Sequence, residues 1–278
     1  MNTRFDSLDV VPAVPAWAMP RSAIENDVEA AYMAGSALNS LDNLVRSDAA
    51  WLGAWRHRMA LKGAAAVVRL MGRRESESDL RDAWLLRTPG DDPGPAGNVL
   101  AAWRRLAGRS SAPGAASLAS VAQQLGLGAG IDIDALAELV EAVPAGPAPL
   151  AAARMADAAV RIEPRAEPLA WWLADLALAR HMRWAFPVPV LVTQIHSPLL
   201  RLGHDRVRAR RLEEVAPRLR SKGAGEVVRL LLDDDAVAGT LTTKALSRWG
   251  SRRLFDRLLQ LDAARELSGR AAFRIFGL

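Results

Sequence analysis

The sequence predicts a mainly α protein, a multi-helix bundle followed by a C-terminal winged helix-turn-helix. Three observations lead there. Apolar residues recur at three- and four-residue spacing through most of the chain. Alternating apolar and polar segments, the mark of half-buried strands, are nearly absent before residue 264. Residues 223–278 then order themselves as helix, helix, turn, helix and hairpin.

Taken in order, the segment 1–22 carries Pro12, Pro15 and Pro20 and reads as an extended arm, with Trp17 as its anchor. From Glu25 to Arg46, residues Ala30, Met33, Ala37, Leu41 and Leu44 share one helical stripe. Trp51 to Met71 repeats the pattern, and the small residues of ALKGAAAVV let a neighbouring helix approach closely. Ser76 stands three before Asp79, the N-cap arrangement for a helix through Leu86. RTPGDDPGPAGN (87–98) forces a turn, and a helix restarts near Pro95. GRSSAPGAAS is a linker, and helices follow in ASLASVAQQLGL and DIDALAELVEAV. PAGPAPL breaks the pattern again, so a helical domain over 23–148 is expected, with a second helical domain or a continuation of the bundle over 149–222. That second part holds helices near 149–161 and over 167–184, a buried turn in FPVPVLVTQI, and the charged helix RVRARRLEEVAPRLRSKG.

Composition excludes several function classes. The chain has 278 residues and no Cys, so it has no disulfide framework, thiol nucleophile or Cys-ligated zinc. The N-terminus lacks the basic start and apolar run of a signal peptide, and no long apolar stretch is free of charge, so a cytoplasmic protein with no membrane span is expected. Net charge is +5, but 33 of the 36 basic residues are Arg, a bias that a GC-rich genome produces whatever the function. The distribution is more telling. Residues 201–278 hold 17 Lys and Arg against 10 Asp and Glu, a net of +7, while residues 1–200 carry a net of −2. Positive charge confined to one end points to an anionic partner there.

Within the C-terminal module, GEVVRLLLDDD is an amphipathic helix. Thr242 or Thr243 would cap a second helix, KALSRW, with Leu246 and Trp249 pointing inward. Gly250 would make the turn, and Ser251 would cap the third helix, RRLFDRLLQLD. Leu254, Phe255, Leu258 and Leu259 form its core stripe, and Arg253, Arg257 and Gln260 lie opposite. The functional reading puts Arg253, Arg257 and Gln260 in a major groove, where Arg suits guanine and Gln adenine. Lys244, Arg248 and Arg252 would meet phosphates, and Arg270 would sit on the wing. The competing reading is a winged helix used for dimerisation or packing, with its arginines solvated and Asp256 interrupting any phosphate track.

Other candidate chemistry is thin. Asp91 and Asp92 in the acidic loop read as a loop and helix start. Arg81 and Asp82 are adjacent on a helix, do not face each other, and should pair with other helices. GLGAG lacks the third glycine of a dinucleotide fingerprint, and no P-loop is present. His57, His181, His196 and His204 are scattered without metal-ligand spacing, and the Trp-rich positions, Trp171 and Trp172 among them, read as core. No catalytic residue, metal site or cofactor is expected.

Several blocks also carry a resemblance. AYMAGSALNSLDNLVR, WRHRMALKGAAAVVRLMGRRE, LRDAWLLRTPGDDPGPAGNVLAAWRRL, WLADLALARHMRWAFPVPVLVTQI and the closing LTTKALSRWGSRRLFDRLLQLDAARELSGRAAFRIFGL resemble a bacterial family catalogued as domain of unknown function fourteen-oh-three. That family is found in rhizobia and related α-proteobacteria and is often plasmid-borne; the resemblance implies no particular activity. The order of linker helix and winged helix is also similar to the back half of Fic-type proteins. Their His-Pro-Phe motif is missing, since Met182 and Arg183 follow His181, so nucleotidyl transfer is not implied. Two readings remain: a non-enzymatic regulator that binds double-stranded DNA through its C-terminal module, or an interaction protein whose winged helix contacts a protein partner or a second copy.

Overall fold

The computed structural model describes residues 14–19, 26–88, 90–108, 113–128, 130–142, 144–195, 203–268 and 273–278, and of residues 18, 27, 195 and 203–208 the backbone alone. Among these, eleven α-helices carry the fold: α1 (Asp27–Val45), α2 (Leu52–Leu70), α3 (Glu77–Leu85), α4 (Gly94–Ala107), α5 (Ala115–Gln124), α6 (Ile133–Ala142), α7 (Ala148–Ile162), α8 (Glu167–Met182), α9 (Gly203–Val215), α10 (Ala224–Asp233) and α11 (Arg248–Gln260). Three short strands, β1 (Val237–Ala238), β2 (Arg265–Glu266) and β3 (Ile275–Gly277), form an antiparallel sheet in the order β1-β3-β2. Most of the expected arm, residues 1–13 and 20–22, lies outside the described residues. Its described part includes a 3-10 turn at Ala16–Ala18, with the Trp17 ring 6.0 Å from that of Tyr32 on α1.

Helix starts follow local chemistry. The Asn26 side chain accepts from the Glu29 amide at 2.9 Å and caps α1. Ser76 and Asp79 form a reciprocal capping box at α3. Asp92 Oδ1 accepts from the Gly94 amide at 2.9 Å and the Asn98 side-chain amide at 2.8 Å, so the acidic loop is the start of α4. At the far end of α6, Arg180 donates to the Val140 carbonyl, and His181 Nε2 donates to the Pro144 carbonyl at 2.8 Å. Basic groups thus satisfy carbonyls that the helix end leaves open.

Two clusters of buried apolar side chains run through the molecule, and α2 and α8 contribute to both. One gathers α2, α4, α5, α6, α7 and α8 around Trp103, Leu118, Leu136 and Leu173, so it continues across the break at 144–147. The other joins α1, the start of α2, the end of α8, residues 184–190, α9, α10, α11 and the sheet. Small residues set the close approach that the sequence implies. A Cβ on Gly63 of α2 would stand 2.8 Å from the Trp103 indole nitrogen on α4. One on Gly53 would stand 2.5 Å from the Asp233 backbone at the end of α10. Burial at this density disfavours any added volume.

The expected helix over 244–249 is not formed. Thr243 and Leu246 exchange backbone hydrogen bonds, and the Thr243 hydroxyl accepts from the Ala245 amide at 3.2 Å, which closes a turn instead. Ser247, not Ser251, caps the last helix, its hydroxyl accepting from the Gly250 amide at 3.2 Å. α11 therefore begins at Arg248, Gly250 lies inside it, and Ser251 is buried on its core face. Leu246 points inward as expected, but Trp249 is 71% exposed. Counting back from Leu258 at 100° per residue puts Trp249 on the face opposite the core.

Candidate functional site

The largest concentration of buried charge lies where α10 ends. Asp234 takes both guanidinium nitrogens of Arg104 on α4, at 2.7 and 2.9 Å. His57 Nδ1 on α2 lies 3.4 Å from the same carboxylate, a contact looser than an aligned hydrogen bond. Asp235 accepts from Arg81 Nε of α3 at 3.0 Å and lies 3.4 Å from Arg104. Arg104 also stands over the Trp84 ring, as does Arg87. Burial pushes the Asp234 pKa up, but His57 and Arg104 more than reverse this and hold it well below the usual carboxylate range. Burial and the neighbouring Asp234 charge raise the Asp235 pKa, against Arg81 and Arg104. The arrangement is a seam of bidentate and crossed ion pairs between the helical body and the C-terminal module. Asp79, Asp82, Arg56 and Arg58 also have partners, Arg58 donating to the Leu278 carbonyl at 3.1 Å and Arg56 lying 4.0 Å from the centre of the Phe186 ring.

A second buried acid holds a loop. Asp175 of α8 is fully buried and accepts from the amides of Val190 and Leu191 at 3.1 and 3.0 Å. Burial pushes it up to about 7, against those two hydrogen bonds. It anchors the buried turn 186–191 to α8, a structural use of a carboxylate.

The exposed charge lies at the other end of the module. Arg252, Arg253, Arg257 and Gln260 are exposed along α11, opposite buried Leu254, Phe255 and Leu258. Arg248 is exposed in the first turn, and Lys244 is exposed in the turn before it. Lys244, Arg248, Arg252 and Arg253 make no hydrogen bond or ion pair among the described residues. Arg257 donates to Gln260 Oε1 at 3.2 Å and faces the end of α9, bordering a cleft with Arg211 and Arg218. Arg270 lies outside the described residues. Asp256 does not interrupt the arginines as free charge, because Arg274, just before β3, binds it at 2.8 Å and Glu266 of β2 at 2.8 Å.

Beside Arg248 and Arg252 lies a surface cavity of about 170 Å³ that sequence reading does not anticipate. Its walls include Trp249 of α11 and Phe273, two residues before the last strand, which are 71% and 65% exposed. Phe276 lines it too and stacks on Phe255 at 4.3 Å between ring centres. The signal for Trp249 was present in the phase of α11; Phe273 had none.

Among the described residues no group of His, Cys, Asp and Glu could hold a metal ion, and no helix is long and apolar enough to cross a membrane. His57 and His181 hold the contacts given above; His196 and the His204 side chain lie outside the described residues. The family described as a protein of unknown function, DUF1403, matches residues 2–211 and 205–278, and the chain belongs to that family. No curated protein and no solved structure matches it.

Proposed function

We propose that this member of the DUF1403 family is a non-enzymatic DNA-binding regulator that reads duplex DNA through its C-terminal module, a winged helix-turn-helix in which the 243–246 turn stands in for the second helix. The observation that carries the reading is the solvent face of α11. It presents Arg252 and Arg253 with no partner among the described residues, beside Arg257, Gln260 and Arg248, on a core of Leu254, Phe255 and Leu258. A basic helical face that the fold does not neutralise suits phosphates and guanine edges. The sheet order β1-β3-β2, flanked by α10 and α11, supplies the scaffold on which such a helix is carried. The helical body would then bind whatever regulates the module, through the Asp234 and Asp235 seam that joins them.

The test is binding of the purified protein to duplex DNA, with the Arg253→Ala, Arg257→Ala double variant as control and folding checked by circular dichroism. Binding present in the wild type and reduced about tenfold or more in the folded variant supports the reading. Equal or absent binding in both sinks it. The exposed pair Trp249 and Phe273 favours one second reading, a protein interface on the same module, whose partner would be held by apolar contact and survive high salt.

A further inference from the structure

We propose that the cavity between Trp249 and Phe273 is a site for an unstacked nucleobase, with the phosphates flanking that base held by Arg248 and Arg252. The inference rests on the nucleic-acid reading of α11 and specifies a feature that a plain duplex lacks. Trp249 and Phe273 are large aromatic side chains held in solvent on a cavity wall, the first in the opening turn of α11, the second where the chain enters β3. Exposed aromatic faces beside positive charge are what single-stranded nucleic acid uses, because every base has a face to stack and every nucleotide brings a phosphate.

The cavity is built rather than accidental. Arg274, which also lines it, is fixed by Asp256 and Glu266 at 2.8 Å each, and its guanidinium lies 5.0 Å from the centre of the Phe276 ring. The Arg274 carbonyl accepts from the Gly239 amide at 2.7 Å, which ties this strand to the opposite lip. Phe273, next in the chain, holds φ +56°, a left-handed backbone that a bulky side chain rarely adopts. Such an outlier is maintained by its surroundings, and such residues cluster at ligand sites. The charges divide accordingly: Arg274 is neutralised and serves as wall, while Arg248 and Arg252 have no partner among the described residues and are left for an anion. Thr240, exposed on the same cavity, offers a hydroxyl that can donate to or accept from a base edge. An acidic peptide would satisfy the arginines, but a nucleotide also brings a flat heteroaromatic face and, in a strand, a phosphate on either side of it.

The experiment compares binding of fluorescently labelled perfect duplex, the same duplex with one bulged nucleotide, and the single strand. It uses wild type, Trp249→Leu, Phe273→Leu and the Arg253→Ala, Arg257→Ala variant. Wild type should prefer the bulged duplex and the single strand over the perfect duplex by roughly tenfold. Trp249→Leu and Phe273→Leu should erase that preference and leave perfect-duplex binding in place. Quenching of intrinsic Trp fluorescence by the single strand should shrink in a Trp249→Phe variant, which keeps an aromatic face and should keep the preference. Perfect-duplex binding with no preference for the bulge overturns the nucleobase site and leaves the duplex reading standing. No binding of any probe overturns both, and an aromatic interface for a protein then explains the exposed pair. Loss of binding only in the Arg253→Ala, Arg257→Ala variant, with no effect of Trp249→Leu, also overturns the site.

Discussion

Arg104 and Arg253 are the same residue type in one chain, and the structure uses them in opposite ways. Arg104 is sunk between α4 and α10, gripping Asp234 with two nitrogens and reaching Asp235. Arg253 stands exposed on α11 with no partner among the described residues. The difference teaches that the abundance of arginine says little about function, whereas its pairing says a great deal. A paired, desolvated arginine belongs to the fold. An exposed arginine whose neighbouring acid is taken up elsewhere, as Asp256 is by Arg274, is available to an outside anion.

The comparison can be broken most severely at the seam. Arg104→Ala would leave Asp234 and Asp235 buried with weakened compensation, and removal of one partner from such a set costs about 3–5 kcal/mol. Denaturant unfolding should show a loss of that size, and a loss under about 1 kcal/mol would mean that water reaches the seam.

Next comes Asp175. Its folded pKa is raised from 3.8 to about 7, so the folded protein holds that proton more tightly than the unfolded chain does. Its contribution to stability is therefore fully present below about pH 4 and is lost as pH rises through 7, by up to about 4 kcal/mol. Asp175→Asn, which keeps an acceptor for the Val190 and Leu191 amides, should remove that slope and stabilise the protein at pH 8 more than at pH 5. An unchanged slope would show that another group carries it. Asp234 has the opposite sign: its depressed pKa gives stability that is present at neutral pH and lost on acidification.

Smaller effects sharpen the exposed side. Ser247→Ala removes the cap of α11 and should cost about 1 kcal/mol, read as a lowered thermal midpoint. Arg253→Ala should change stability by no more than about 0.5 kcal/mol, because the exposed side chain has no partner among the described residues. A larger loss would move Arg253 to the structural class.

Most of the helical architecture was legible. The helices α1, α2, α4 and α8, the Ser76 cap and the acidic start of α4 are local patterns, and local chemistry formed them close to where they were read. Pairing of Arg81 away from its own helix was legible, because adjacent helical residues cannot face each other, but the partner, Asp235, lies past the end of α10 and not on a helix. The partner could have been sought in the run Asp233, Asp234 and Asp235. Three acids at a helix C-terminus oppose the dipole and call for cations from elsewhere in the fold. The second helix of the module was misread because KALSRW has the composition of a helix, while the Thr243 turn and the Ser247 cap decide its geometry. That one register error carried Trp249 from the surface into the expected core. The cavity beside it needs Phe273 and β3 brought back across the sheet, a long-range placement that no local pattern encodes.

The most direct test is the salt dependence of duplex binding, measured for wild type and for the Arg248→Ala, Arg252→Ala variant, the pair read as meeting phosphates. If exposed arginines on α11 neutralise phosphates, the logarithm of affinity falls linearly with the logarithm of salt, and the variant's slope is shallower by about 2. Equal slopes in the two proteins, or binding that salt does not weaken, would contradict the claim that the exposed arginines of α11 serve nucleic acid.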